Sequence, residues 1–276
     1  FGNHNVSGLV LYNNSDKRAQ INTSQNPSTE SRYNFTPEIF NGITARFGYD
    51  YKQKYLIEFS GAYNGSDRFA QGKKKGFFPA VSVGWNIAEE SFIKDNLRFV
   101  DQFKLRGSYG VVGADNTGGV YAYLQNWATG SGSGLFGLAT NNGYGTVTEG
   151  TLANNEVTWE KDKKLDIGLD MAFFKNKLSA KLDYFNNNRY DIITNRGTVS
   201  AVFGQNLPLV NIGRTNNRGF EAEVSFRDDL SKDWNYSIQG TYSLAKNKIT
   251  FRDEAVTLYG YQRETGQPIG SVLKYK

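Results

Sequence analysis

The chain has 276 residues, and a hydrophobic content of 38% with a mean hydropathy of -0.56 leaves no segment apolar enough for a membrane-spanning helix. Its 17 Tyr, 19 Phe and 30 Gly against 5 Pro are typical of an all-β protein. The absence of cysteine excludes disulfides and thiolate metal sites, and the lone His4 argues against imidazole catalysis. The 32 basic residues are nearly balanced by 27 acidic ones and form no concentrated block, which argues against a nucleic-acid partner.

Nine segments show a period-two alternation of apolar and polar side chains, which predicts β-strands with one apolar face. They lie at about 3–13, on both sides of a turn within 45–65, and at 76–87, 101–111, 158–173, 177–192, 212–227 and 234–248. The clearest alternation sets Leu165, Ile167 and Leu169 against Asp166 and Asp170. The sequence therefore predicts an all-β, antiparallel, up-and-down fold.

The predicted connections alternate between short and long along the chain. Tight turns are expected near Lys52–Lys54, Phe174–Lys177 and Asp228–Asp233, and residues 88–100 form a moderate connection with room for a short helix. Long loops rich in Asn, Gly, Ser and Thr are expected at 14–40, 65–75, 112–157, 193–211 and from 249 onward. In an up-and-down sheet this order places every short connection at one end and every long loop at the other.

Two environments produce such strands: a soluble sandwich that buries the apolar face, or a barrel whose apolar face meets lipid. Tilted strands of about 10 residues span the ~25 Å apolar band of an outer membrane. Aromatic residues near strand ends favour the barrel, because amphipathic rings sit at membrane interfaces. These residues are Tyr49, Tyr51, Tyr55, Tyr63, Trp85, Tyr109, Phe173, Tyr184 and Trp234. We therefore expect a transmembrane β-barrel in a bacterial outer membrane.

If the apolar face meets lipid, the charged residues of the same strands must face the barrel interior. The opposite assignment would place Lys or Arg against lipid at roughly 2–4 kcal/mol each near the midplane. The candidate interior residues are Arg46, Glu58, Lys104, Arg106, Asp166, Asp170, Lys181, Asp183, Glu221 and Glu223. They are candidates for contact with a plug or a substrate, and such an interior requires a wide, wet or plugged barrel.

Motifs for other chemistry have simpler explanations. Gly132–Gly137 matches the G-x-G-x-x-G string of dinucleotide sites, but it lies in a Ser/Gly-rich loop without a βαβ context. The pair Glu221 and Glu223 shares a strand face, which a ladder of interior charges explains better than a glycosidase site. We expect the chain to contain no catalytic residue and to bind no cofactor or metal. We therefore expect that it is not an enzyme.

Five ordered motifs resemble the SusC/RagA-like TonB-linked outer-membrane transporters of Bacteroidota. They are GFFPAVSVGWNIAEESF at 76–92, FKLRGSYGVVG at 103–113, WEKDKKLDIGLDMAFFKNKLSAKLDYFNNNRYDII at 159–193, NIGRTNNRGFEAEVSF at 211–226 and GQPIGSV at 266–272. The likeness extends over about residues 40–276, and the order of the motifs makes it specific.

The resemblance implies a 22-stranded barrel that imports oligosaccharides or peptides. It further implies a SusD-like surface lipoprotein as a lid and a TonB complex that acts through the plug from the periplasm. Residues 1–276 are then expected to form part of one barrel domain, with the plug and the C-terminal strands outside this sequence. The resemblance leaves the choice between glycan and peptide open.

The sequence is also compatible with two other classes of protein. A passive porin or surface adhesin would use the same barrel wall without a plug. A soluble β-sandwich carbohydrate-binding module would use the same alternation to bury its apolar face.

Overall fold

The computed structural model describes residues 2–22, 33–116, 121–135, 143–229 and 231–271, and strands dominate these ranges. The strands are β1 (His4–Asn22), β2 (Tyr33–Tyr51), β3 (Tyr55–Ser66), β4 (Lys75–Asn86), β5 (Val100–Ala114), β6 (Trp127–Leu135), β7 (Gly143–Glu149), β8 (Glu160–Phe173), β9 (Leu178–Thr194), β10 (Val210–Asp229) and β11 (Asn235–Phe251). One short helix, α1 (Ser91–Lys94), and 3-10 turns at Ile87–Glu89, Ala201–Phe203 and Gly260–Gln262 complete the set. No helix among these residues has the length and apolarity to span a membrane.

Nine of the strands form one antiparallel sheet in the order β1-β2-β3-β4-β5-β8-β9-β10-β11, as the sequence predicted. Every strand of this sheet pairs with its neighbour along the chain, except that β6 and β7 form a separate hairpin between β5 and β8. The meander confirms the predicted tight turns and the short helix between β4 and β5. The short connections share one end of the sheet, the short-turn end, and the long loops share the other, the loop end.

Two predicted loop boundaries are wrong. The loop expected at 14–40 is mostly strand, because β1 continues to Asn22 and pairs with β2 from Tyr33 onward. The loop expected at 112–157 contains the end of β5 and the β6–β7 hairpin. The hairpin also takes in Gly132–Leu135 of the G-x-G-x-x-G string, whereas Phe136 and Gly137 lie outside the described residues.

Left-handed backbone closes the tight turns at the short-turn end. Lys52 and Gln53 have φ of 54° and 56°, and the Lys54 amide donates to the Tyr51 carbonyl at 2.9 Å. Phe174, Lys175 and Asn176 have φ of 58°, 59° and 61° between β8 and β9. This sense of twist matches the right-handed twist of the flanking strands, which explains why such short connections suffice.

The register divides the sheet into an apolar face and a polar face. One row of paired positions crosses the whole sheet on the apolar face: Val6, Tyr49, Ile57, Val83, Gly107, Ile167, Tyr184, Phe220 and Leu244. Most of these side chains are exposed, as are Phe47, Phe59 and Phe77 nearby. An exposed apolar surface across nine strands far exceeds the patches that soluble proteins tolerate.

The buried core of the described residues is small and lies at the loop end. Phe69, Phe78, Val157 and Trp159 form one cluster, with Trp159 only 2% exposed. The Trp159 ring lies 5.3 Å from Phe69 and 5.2 Å from Phe78, measured between centroids, and its indole N–H donates to the Lys74 carbonyl at 3.1 Å. The cluster packs the β3–β4 connection, which contains Phe69, and the residues just before β8 against the sheet.

Candidate functional site on the polar face

All ten charged residues that the sequence singled out lie on the polar face, in neighbouring rows of the register. One row runs through Gly48, Glu58, Ser82, Ser108 and Asp166. The next runs through Arg106, Gly168, Asp183 and Glu221, and the third through Lys104, Asp170, Lys181 and Glu223. Arg46 lies opposite Ser60 on the other side of the Glu58 row. The structure thus gathers the ten residues from six strands onto one surface.

Arg106 is the centre of this surface because it contacts three carboxylates on two other strands. Its Nη1 lies 3.0 Å from Asp166 Oδ1 and its Nε 3.3 Å from Asp170 Oδ2, both on β8. Its Nη2 donates to Asp183 Oδ1 on β9. The guanidinium is therefore satisfied on every edge, and one positive charge holds three negative ones in place.

Gly168 lies directly opposite Arg106 and makes the long reach of the guanidinium possible. A Cβ built at Gly168 would overlap Arg106 Cζ and stand 2.5 Å from Asp183 Oδ1. Because Gly168 has no side chain, the guanidinium lies flat across β8 and reaches β9. The backbone at Gly168 has an ordinary extended conformation, so the glycine is required for space and not for its φ angle.

Arg46 and Glu58 form a looser pair beside the Arg106 cluster. Arg46 Nε lies 3.7 Å from Glu58 Oε2, and both side chains are about half exposed. Between this pair and Arg106 the polar face forms a cavity of about 390 Å³. The cavity is lined by side chains that include Asn5, Ser7, Asp50, Glu58, Ser82, Lys104, Arg106, Ser108 and Asp166. A single cavity that draws on six adjacent strands indicates that the polar face is concave.

The third row alternates in charge from strand to strand. Lys104, Asp170, Lys181 and Glu223 follow one another across β5, β8, β9 and β10. Opposite charges at directly paired positions stabilise neighbouring strands. At the β11 side, Gln239 donates to Glu223 at 3.0 Å and Ser243 donates to Glu221 at 3.3 Å. The row is a hydrophilic ladder that offers both donors and acceptors.

Sequence reasoning missed a second charged group at the loop end of the same face. Glu160 is buried, accepts from Arg189 Nη2, and also accepts from the Ile193 amide at 2.9 Å. Glu160 and Asp162 occupy the same alternate positions of β8 as Asp166 and Asp170. The period-two pattern therefore already placed them on the polar face. Asp50 and the three serines that line the cavity were missed because they carry no distinctive motif.

The lysine run at residues 73–75 is engaged within the chain and is not an open anion site. Lys73 pairs with Glu156 at 2.8 Å, Lys74 pairs with Asp67 at 2.5 Å, and Lys75 lies 5.2 Å over the Tyr63 ring. Within the described ranges, no three His, Asp or Glu side chains group closely enough to hold a metal ion.

A separate polar cluster lies at the short-turn end, where the β4–β5 connection meets the ends of β3 and β4. Glu90 accepts from Tyr55 Oη at 2.7 Å, Lys54 Nζ at 3.1 Å and Trp85 Nε1 at 3.2 Å. These three hydrogen bonds stabilise the carboxylate, with Tyr55 contributing most, and lower the pKa of Glu90 to about 2. The cluster fastens the β4–β5 connection beneath two aromatic rings at the edge of the apolar face.

Aromatic rings continue along the edge of the apolar face at the short-turn end. Phe99 lies 5.7 Å from Phe174, and Phe226 lies 5.9 Å from Tyr236, measured between ring centroids. Exposed Trp234 adds to the same edge. An exposed apolar face, an aromatic rim and a concave polar face together define the wall of an outer-membrane β-barrel.

The comparison with protein families agrees with this class. The model of the family described as TonB dependent receptor-like, beta-barrel matches residues 1–276. The chain belongs to this family, and the family places it in the bacterial outer membrane. A soluble β-sandwich is excluded by the same finding and by the exposed apolar face.

The chain is also similar to two proteins that are named as TonB-dependent receptors. The chain is 29% identical over 246 residues to TonB-dependent receptor P3 of Formosa agariphila, covering 85% of this chain and 24% of the relative. It is 27% identical over 207 residues to TonB-dependent receptor SusC of Bacteroides thetaiotaomicron, covering 74% of this chain and 20% of the relative. The chain thus spans about a fifth to a quarter of the length of these relatives.

Solved structures show the same fold. A structure of the RagAB peptide transporter superposes with a TM-score of 0.73 at 19% identity, covering 90% of this chain and 28% of the other. The RagAB peptide importer in its open-open state gives the same TM-score over 94% of this chain and 29% of the other. The agreement confirms the predicted antiparallel barrel architecture.

Proposed function

We propose that this chain is part of the wall of a TonB-dependent outer-membrane transporter that imports oligosaccharides or peptides. The carrying observation is the Arg106-centred polar face, which is concave, fully hydrogen-bonded at its centre and opposite an exposed apolar face. Membership in the TonB-dependent receptor family, similarity to SusC and the RagAB fold support the proposal. The transported molecule passes on the side of the polar face.

The ten charged residues then face the barrel interior, where they contact either the plug or the substrate. The Arg106 cluster has one positive and three negative side chains, so it favours contact with hydroxyl and amide groups over contact with anions. Oligosaccharides and peptides both present such groups. The Lys104–Asp170–Lys181–Glu223 ladder continues the same surface toward β11.

Transport without catalysis is the expected chemistry of this site. The charged groups of the cluster are paired with one another, and receptors of this family are transporters. A SusD-like lipoprotein is proposed as the partner at the loop end, and a TonB complex as the energy source from the periplasm. Substrate capture then belongs to the loops, and passage belongs to the polar face.

Further strands are proposed to complete the barrel domain to which this chain belongs. Within the described sheet, β1 and β11 each pair with one neighbour only. An unpaired strand edge is not tolerated against lipid, because its amide and carbonyl groups would lack partners. The wall therefore joins other strands of the same domain around the plug.

The test is uptake by the native bacterium with the gene for the full-length protein intact or deleted. Fluorescent oligosaccharides and fluorescent peptides are supplied separately, with and without a protonophore that removes the energy for TonB. The proposal predicts that deletion abolishes uptake of one class and that the protonophore does the same. Uptake that needs the gene but survives the protonophore would show a passive porin, and unchanged uptake of both classes would refute transport of these substrates.

The proposed lipoprotein partner is tested by purification of the tagged full-length protein from outer membranes. A lipoprotein of SusD type is expected to co-purify in equal amount. If no such lipoprotein accompanies the protein purified in mild detergent, the partnership is refuted. The proposal of transport would still be tested separately by the uptake experiment.

A further inference from the structure

A patch of basic residues lies on the outward, apolar side of the wall at the loop end of β8–β11. Two rows of the register build it. Lys163 is followed by Asn188, Asn216 and Lys248 in one row, and Leu165 is followed by Asn186, Arg218 and Lys246 in the next. We refer to Lys163, Arg218, Lys246 and Lys248 as the basic patch.

The basic patch borders the apolar band directly. The next row toward the centre of the sheet holds Ile167, Tyr184, Phe220 and Leu244, which are all exposed and apolar. The change from apolar to basic therefore occurs within about one or two rows on four adjacent strands. Since strands lie about 4.8 Å apart, Lys163 and Lys248 are separated by roughly 14 Å along their row.

Among the described residues, the four basic residues make none of the ion pairs that many other basic residues of the wall make. None of its four side chains takes part in an ion pair within the part of the chain that the structure describes. Arg46, Arg68 and Arg106 all pair with carboxylates. The positions of the two rows contain Asn, Leu, Lys and Arg and no acidic residue.

Neighbouring side chains hold the patch in place. Lys163 Nζ lies 5.0 Å from the centroid of the Tyr190 ring. Asn216 donates to Asn186 at 2.6 Å and to Asn188 at 2.8 Å, which ties the three amides together between the basic residues. At the outer edge, Lys161 is paired with Asp191 at 3.2 Å, so the unpaired charge is confined to the rows next to the apolar band.

We propose that the basic patch binds the phosphate groups of lipids in the outer leaflet of the outer membrane. The loop end of an outer-membrane barrel faces the cell exterior, so residues just beyond the apolar band lie at the level of the outer-leaflet headgroups. Lys and Arg clusters at that level attract anionic headgroups, and the asparagine amides add neutral donors. The patch would orient the wall and retain lipid bound to β8–β11, independently of the transported substrate.

The experiment uses the purified full-length protein and native mass spectrometry with three probes: phosphorylated lipid A, dephosphorylated lipid A and inorganic phosphate. The patch variant is K163Q/R218Q/K246Q/K248Q. A matched control removes four basic residues at the short-turn end, K52Q/K94Q/K175Q/K232Q. A third variant, K163R/K246R/K248R, keeps the charge, and heat-dependent gel mobility verifies the folding of each barrel.

We expect phosphorylated lipid A to bind the wild type, the control and the charge-keeping variant alike, and to bind the patch variant about tenfold more weakly or worse. Equal retention of phosphorylated lipid A by the patch variant would overturn the proposal. Equal binding of the dephosphorylated lipid would show an apolar contact alone, and equally tight binding of inorganic phosphate would show an anion site without a lipid role. Each of those results contradicts the proposal, and none depends on the uptake experiment.

Discussion

Gly168 and Arg106 lie directly opposite each other on β8 and β5, and the absence of a side chain at Gly168 lets the Arg106 guanidinium reach Asp183 on β9. A Cβ at Gly168 would stand 2.6 Å from Arg106 Nη1. The contact thus links three strands through a residue that has no side chain of its own.

The Gly168→Ala variant is predicted to displace the guanidinium and to lower the free energy of unfolding by about 1–3 kcal/mol, the usual range for overpacking. Heat-dependent gel mobility of the full-length protein measures the loss. Gly107→Ala is the matched control, because the nearest atoms to a Cβ at Gly107 lie 3.9 Å away. A Gly168→Ala barrel as heat-stable as the control would show that the guanidinium relaxes without cost.

Replacing Arg106 by Met is predicted to leave three carboxylates uncompensated and to cost on the order of 1–3 kcal/mol, since the cluster is only partly buried. Arg46→Met, which removes one long and half-exposed contact, should cost no more than about 0.5 kcal/mol. A double-mutant cycle of Arg106→Met with Asp183→Asn in urea unfolding measures the coupling. Strict additivity of the two substitutions would refute a direct Arg106–Asp183 interaction.

The alternation of the strands could be predicted from sequence, but these contacts could not. The parity of Asp166, Asp170 and Asp183 placed them correctly on one face. Which carboxylate meets Arg106 depends on the register and on Gly168, and neither is encoded in the local pattern. To predict these contacts, one must know how the strands are shifted along one another, and the contacting residues are more than sixty positions apart in the sequence.

The two missed boundaries have local causes. Residues 13–18 of β1 are polar at every position, so this part of the strand shows no period of two, and it is stabilised by its pairing with β2. Pro37 in the first half of β2 has no amide hydrogen to donate to a strand ladder, and proline is rare inside strands. The β6–β7 hairpin is rich in Gly and Ser, residues that are depleted in most strands and typical of loops.

Acid titration is predicted to release the β4–β5 connection only at very low pH. The pKa of Glu90 is lowered to about 2, so its stabilising contribution is fully present above the unfolded value near 4.5 and is lost as the pH falls toward 2. The measurement is the difference in tryptophan fluorescence between the wild type and the Glu90→Gln variant. This difference reports on Trp85, whose indole N–H donates to Glu90. The difference should persist at pH 5 and vanish near pH 2. A difference that disappears already between pH 6 and pH 5 would contradict the lowered pKa.

Removing the Trp159 ring is predicted to free the loops from the wall. Trp159→Ala should cost about 3–5 kcal/mol, because the ring is buried among Phe69 and Phe78 and its N–H holds the Lys74 carbonyl. Trp127→Ala is the control, since that ring is 59% exposed in the β6–β7 hairpin. External protease on whole cells should cut the Trp159→Ala protein faster near residues 67–74. Equal cleavage of both variants would refute the anchoring role.

The central claim is that the apolar face meets lipid and the polar face lines the interior, and β3 tests it residue by residue. This chain has no native cysteine. Single cysteines at residues 57, 58, 59 and 60 of the full-length protein can therefore carry spin labels once any cysteine outside this chain has been replaced by serine. Labels at 57 and 59 are predicted to be accessible to oxygen dissolved in lipid, and labels at 58 and 60 to a water-soluble nickel reagent. A profile without this period of two, or one with the two faces exchanged, would contradict the account.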